Sequence, residues 1–239
     1  MTIAIPSPCG RNASRTLGLL LLLFGRLRSY LSRAFGFAPD DQPPPAPASR
    51  GNGRCCALVL DVSGSMLETD WPPSRLQAAQ DAAQAFCDRL ADESPNVQVT
   101  IIAYGEEAVL LCPLTLAFDH DTLSRAIYTA PVLNATNITA GLKMAYGALV
   151  RSHRPADVVL LTDGHHNHGP GPRQIAARLK GFATLHITGI AGSPVDLDES
   201  LLVDIASARL DGSKRYRWIG DRDDLIEHFR DIAGGITRS

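Results

Sequence analysis

A doubly wound α/β domain, with helices on both faces of a mostly parallel sheet, is the fold this sequence predicts. Two apolar runs, residues 57–60 and 158–161, are continuous and not alternating, as expected of strands buried on both faces. Each run delivers an aspartate, Asp61 and Asp163, into a segment containing glycine, so both strands end in a turn at a carboxylate. Between and beyond them, β-branched runs alternate with helical periods, the pattern of βαβ units with right-handed crossovers.

Taken in order, the 57–60 strand runs into a turn, where Gly64 is expected to let the backbone bend sharply. Trp71, Pro72 and Pro73 exclude a helix, and Ser74 is placed to cap one. Leu76, Ala79, Ala83, Phe86 and Leu90, spaced by three and four, predict an amphipathic helix over 75–92. A strand over 97–104 follows, then a second over 108–112. So short a connection forces an antiparallel pair, which places one antiparallel member at a sheet edge. Helices are expected over 119–130, up to about 149, over 173–180 and over 200–208. Strands are expected over 183–190 and 215–219, and Leu225, Phe229 and Ile232 line one face of a closing helix. His186, within an apolar run, reads as a core histidine with a satisfied ring.

Composition bounds the function. The 239 residues are 45% hydrophobic and 20% charged, enough for one large core plus a tail. A net charge of −2 argues against nucleic acid as a partner. Cys9, Cys55, Cys56, Cys87 and Cys112 show no metal-ligand or redox spacing and read as apolar thiols in a reduced, cytoplasmic compartment.

The N-terminal part is set apart. Residues 1–38 form a basic and apolar segment whose run at 17–24 is shorter than the roughly 20 residues a membrane-spanning helix needs. Residues 17–37 could meet a membrane surface, with Leu27, Tyr30, Leu31, Ala34 and Phe35 at helical spacing and Arg26, Arg28 and Arg33 facing anionic lipid. A disordered extension and a signal or anchor are the alternatives. Residues 39–54, rich in Pro and Gly, read as a linker, and 55–239 as the folded domain.

The chemistry concentrates at Asp61, Ser63 and Ser65. Three hard oxygens two residues apart, one of them charged, suit a small hard cation such as Mg²⁺. This Asp-x-Ser-x-Ser run resembles the von Willebrand factor type A family, whose metal-ion-dependent adhesion site begins with that motif. The resemblance implies a Rossmann-like fold and two further ligands. Thr136 in Asn134-Ala135-Thr136-Asn137 is the match for the family threonine, although the family often has a pair of glycines where Asn134 and Ala135 stand. Asp163 in Thr162-Asp163-Gly164 is the match for the last position. Thr136 or Thr139 could cap the following helix, and the two roles can coexist with Thr139 capping and Thr136 facing the metal.

The resemblance also implies a function. Mg²⁺, or alternatively Mn²⁺ or Ca²⁺, would leave one coordination position for an Asp or Glu presented by another protein. Met66, Asn137, His165, His166 and Asn167 are expected to rim that contact. The loop of His165, His166 and His168 reads as solvated, with Asn167, Gly169 and Pro170 fitting the family's polar loop. The expected protein is therefore a binding module and not an enzyme. The rivals are a metal-dependent hydrolase using His165 or His166, and an adaptor subunit of a separate ATPase tethered by its N-terminal segment. No Gly-x-Ser-x-Gly elbow and no phosphate-cradling loop with Lys supports catalysis.

Overall fold

The structure, a computed structural model, describes residues 53–94 and 96–238. The N-terminal segment and nearly all of the expected linker, with their membrane and tether readings, lie outside the described residues. The elements are β1 (Cys55–Asp61), α1 (Arg75–Glu93), β2 (Gln98–Tyr104), β3 (Ala108–Leu116), α2 (His120–Tyr128), α3 (Ile138–Leu149), β4 (Ala156–Thr162), α4 (Arg173–Lys180), β5 (Ala183–Ile190), α5 (Glu199–Ile205), β6 (Tyr216–Ile219) and α6 (Arg222–Thr237). No helix among the described residues is long and apolar enough to cross a membrane.

The strands form one sheet in the order β3-β2-β1-β4-β5-β6. All pairs are parallel except β2 with the edge strand β3, as the short 105–107 connection requires. Strand β3 is longer than expected. It runs on through Pro113 to Leu116, and an edge strand tolerates a proline because one side of its backbone has no partner.

Continuous apolar runs here serve two cores at once. In β1, Cys56, Leu58 and Leu60 face a cluster with Phe86, Leu90, Leu123, Ile127 and Phe229, from α1, α2 and α6. Cys55, Ala57 and Val59 face the other side, packing with Leu142, Leu149, Leu179 and Leu202 from α3, α4 and α5. Every residue of β1 and β4 is buried, which is why neither strand shows alternation in the sequence.

Local chemistry sets most boundaries. Ser74 caps α1 by accepting from the Gln77 amide, and Asp119 caps α2 in the same way from Thr122. The expected cap of α3 is corrected. Asn137, not Thr139, accepts from the Ala140 amide, while the Thr139 hydroxyl donates to the Pro170 carbonyl. Asn at this position competes well because its short side chain reaches the amide three residues on.

At the amino ends of the strands, Arg54 donates to the buried Asp157 at 2.8 Å. His186 Nε2 lies 3.2 Å from Asp157 Oδ1, the satisfied core histidine the sequence predicts. Both partners hold the Asp157 carboxyl below its ordinary range despite burial, which acts in the opposite direction.

Candidate metal centre

The strand order reverses between β1 and β4, the switch point at which open α/β sheets form a crevice beyond the carboxyl ends of their strands. Leu60 is in register with Leu161, so Asp61 and Thr162 come next on neighbouring strands. The Thr162 hydroxyl donates to Asp61 Oδ2 at 2.9 Å, and the Ser63 amide donates to Oδ1 at 2.9 Å. Beyond Ser63 a 3-10 turn over Gly64–Leu67 carries Ser65 back toward the strand ends. Gly64 is not needed for this turn: its φ is not positive, and a Cβ there would meet nothing within 4 Å.

The hydroxyls and carboxylates then form a chain. Ser63 Oγ and Ser65 Oγ are 3.1 Å apart, and Ser65 Oγ donates to Asp163 Oδ1 at 2.8 Å. Four of the five predicted ligand residues are thus linked by direct contacts. Thr136 reaches the same edge through its backbone. Leu133 N donates to Val62 O at 2.8 Å, Asn137 N to Gly105 O at 2.8 Å, and Thr136 N to Asn167 Oδ1 at 2.8 Å, with Asn167 N returning to Thr136 O at 3.0 Å. Asn167 therefore ties the loop after β4 to the threonine loop. Ala135, where the family often has glycine, holds φ of +51°, in the left-handed region that a glycine occupies at little cost.

The expected rim needs two corrections. Met66 is fully buried in the α1 side of the core, because the 3-10 turn aims it inward between Ser65 and Leu67. Leu67, half exposed, is the apolar residue this turn presents. His166 is not a solvated side chain either. Both its ring nitrogens are enclosed and have no hydrogen-bond partner among the described residues, whereas His165 and His168 are exposed. Asn137 is part-buried and committed to its cap and to the Glu106 carbonyl.

The electrostatics of the edge are unbalanced. Asp61 is completely buried, and among the described residues no basic side chain pairs with it. Burial, and then the neighbouring charge of Asp163, push its carboxyl up to about 7. Burial also raises Asp163, while Ser65 and Arg75 pull it back. Arg75 was not foreseen. Its Nη1 lies 3.2 Å from Asp163 Oδ2. One signal pointed to it: a cation in the first turn of a helix opposes the helix dipole and needs a nearby carboxylate to offset that.

A divalent ion fits this donor set. It would supply the charge Asp61 lacks, and hydroxyl and carboxylate oxygens suit a hard cation. Among the described residues no three His, Cys, Asp or Glu side chains converge as ligands, so an ion here would depend on the serine and threonine oxygens.

The fold is that of the von Willebrand factor type A class. Residues 56–166 match the von Willebrand factor type A domain family. Among curated relatives, a UPF0353 protein from Mycolicibacterium gilvum is 36% identical over 188 residues, 74% of this chain and 52% of the relative. The chain thus spans about half of that relative's length. A von Willebrand factor type A structure from Catenulispora acidiphila superposes with a TM-score of 0.64 at 21% identity, covering 75% of this chain and 42% of the other. Proximal thread matrix protein 1 from the mussel byssus, with a zinc-occupied MIDAS motif, also reaches 0.64 at 21% identity, over 77% of this chain and 46% of that one. Likeness at this identity establishes the fold.

Proposed function

We propose that this domain binds a divalent cation through Asp61, Ser63, Ser65, Thr136 and Asp163, and uses the ion to bind an Asp or Glu side chain of another protein. The observation that carries the proposal is the fully buried Asp61 carboxylate, joined through Ser63 and Ser65 to Asp163 but paired with no cation among the described residues. An isolated buried charge is costly, and an ion at this edge would remove that cost while using the hydroxyls as neutral ligands.

Mg²⁺ is the cation the oxygen set favours, with Mn²⁺ and Ca²⁺ as chemical equivalents. The zinc at the mussel protein's motif supports a divalent ion at the corresponding place. Neutral hydroxyl ligands leave the ion electron-poor, so it would attract a carboxylate as its remaining ligand. The proposed role is binding and not turnover. The hydrolase alternative relied on His165 or His166, and the ring nitrogens of His166 are enclosed and meet no hydrogen-bond partner among the described residues.

The test is isothermal titration of the full chain with Mg²⁺, followed by capture from extracts of the source cells in Mg²⁺, in chelator, and with Thr136→Ala in Mg²⁺. The expected result is metal binding and a partner retained by the wild type in Mg²⁺ alone. A partner held equally under all three conditions, or no binding of metal, would overturn the proposal.

A further inference from the structure

Arg75, the first residue of α1, directs every nitrogen of its guanidinium at a carboxylate. Nε donates to Asp70 Oδ1 at 2.9 Å, and Nη2 meets Asp70 Oδ2 at 2.7 Å and Glu68 Oε2 at 2.8 Å. Nη1 donates to Asp163 Oδ2 at 3.2 Å. The side chain is only 12% exposed, and its backbone amide is itself held by the Glu68 carbonyl at 3.0 Å. The guanidinium therefore lies between two loop carboxylates on one side and a candidate metal ligand on the other. Asp163 in turn divides its oxygens, Oδ1 taking the Ser65 hydroxyl and Oδ2 taking Arg75. One of the two buried carboxylates at this edge has a cation already, and the other, Asp61, has none among the described residues.

We propose that Arg75 is a resident counter-cation of the metal site: it shares Asp163 with the incoming ion and so sets how tightly that ion binds. The inference rests on the metal site proposed above. Two cations drawing on one carboxylate repel each other, so the arginine charge weakens binding of a divalent ion by about tenfold or more at the effective dielectric of a protein edge. Glu68 and Asp70 modulate the effect. They offset the guanidinium charge from the far side and so limit how much of it the ion feels. The site would then bind metal weakly enough to exchange it, in place of holding it permanently.

An arginine that only braced the 68–75 loop would behave differently. In that case removing either Arg75 or its two loop partners would loosen Asp163 and weaken metal binding. The counter-cation role instead predicts opposite signs for the two changes.

The experiment uses the full chain, with Mn²⁺ followed by the loss of its free-ion electron paramagnetic resonance signal, and Mg²⁺ by calorimetry. Wild type, R75Q, R75K and the double variant E68Q/D70N are compared, with melting in chelator as the check on folding. R75Q is expected to bind Mn²⁺ about tenfold or more tightly than wild type, since one neighbouring positive charge is removed. R75K keeps the charge and is expected within about threefold of wild type, although it loses the fork geometry. E68Q/D70N is expected to bind about tenfold more weakly, because the arginine charge is no longer offset. R75Q binding no more tightly than wild type overturns the inference and leaves the metal site standing. Should R75Q fail to fold, E68Q/D70N binding as tightly as wild type or tighter overturns it instead. Absence of Mn²⁺ binding in all four proteins overturns this inference together with the site on which it rests.

Discussion

Asp61→Asn should stabilise the metal-free protein at alkaline pH. The side chain is buried, and burial and the Asp163 charge push its carboxyl up to about 7 from an ordinary 3.8. Because the folded-state value is the higher one, the folded protein binds a proton the unfolded chain has already lost between these pH values. The neutral acid's contribution is complete below about pH 4 and is lost as pH rises through 7. A gap of about three pH units corresponds to about 4 kcal/mol at full ionisation. Asparagine lacks the charge but keeps the shape. Its Oδ1 can accept from the Ser63 amide, and its Nδ2 can donate to the Thr162 hydroxyl, which then accepts where it now donates. The assay is urea unfolding in chelator at pH 5 and pH 8. The stability of the variant relative to wild type should improve by about 2 to 3 kcal/mol between the two pH values. With Mg²⁺ at a hundred times its dissociation constant, wild type should gain about 2.7 kcal/mol and the variant nothing. A variant whose standing against wild type is the same at both pH values would refute the reasoning that Asp61 carries an uncompensated buried charge.

Three further substitutions test the packing around the edge. Met66→Ala should cost about 2 to 5 kcal/mol in urea unfolding, as a core cavity does, and a near-neutral result would return Met66 to the surface. Gly141→Ala places a Cβ 2.8 Å from Val59 Cγ1 and 3.0 Å from the Tyr104 ring, between α3 and the sheet. The overpacking penalty of about 1 to 3 kcal/mol should exceed the helix-propensity gain of up to about 1 kcal/mol, lowering the melting temperature. Ala135→Gly should be neutral or stabilising by up to about 1 kcal/mol, since relief of the left-handed backbone, about 1 to 2 kcal/mol, outweighs the entropy lost with glycine, about 0.5 to 1 kcal/mol. Melting of the paired proteins in chelator checks the last two.

Much of the site was legible because its anchors are local. Asp61 and Asp163 stand at the ends of runs whose continuous hydrophobicity marks strands buried on both faces. Parallel strands share a direction, so their carboxyl ends meet at one edge whatever the details of the helices between. The Asp-x-Ser-x-Ser spacing and the single threonine loop then followed from the family pattern. The turn was read less well. Met66 was expected at the rim, yet a 3-10 turn advances about a third of a circle per residue, so Met66 points into the core and Leu67 points out.

The sequence by itself determined the layered fold, the antiparallel edge strand and the placing of Asp61 and Asp163 at the ends of buried strands, because each depends on hydrophobic period, loop length or short spacing. The tertiary structure alone decided which side chains were brought to those strand ends from elsewhere. Arg75 and Asp163 are 88 positions apart, and Thr136 and Asn167 are 31 apart. Neither pairing leaves a periodic trace in the chain. The enclosure of His166 and the choice of Asn137 over Thr139 as a cap likewise depend on rotamers and on neighbours from other loops. Local pattern reports what a segment must bury, whereas the partner it meets there is set by the packing of segments distant in sequence.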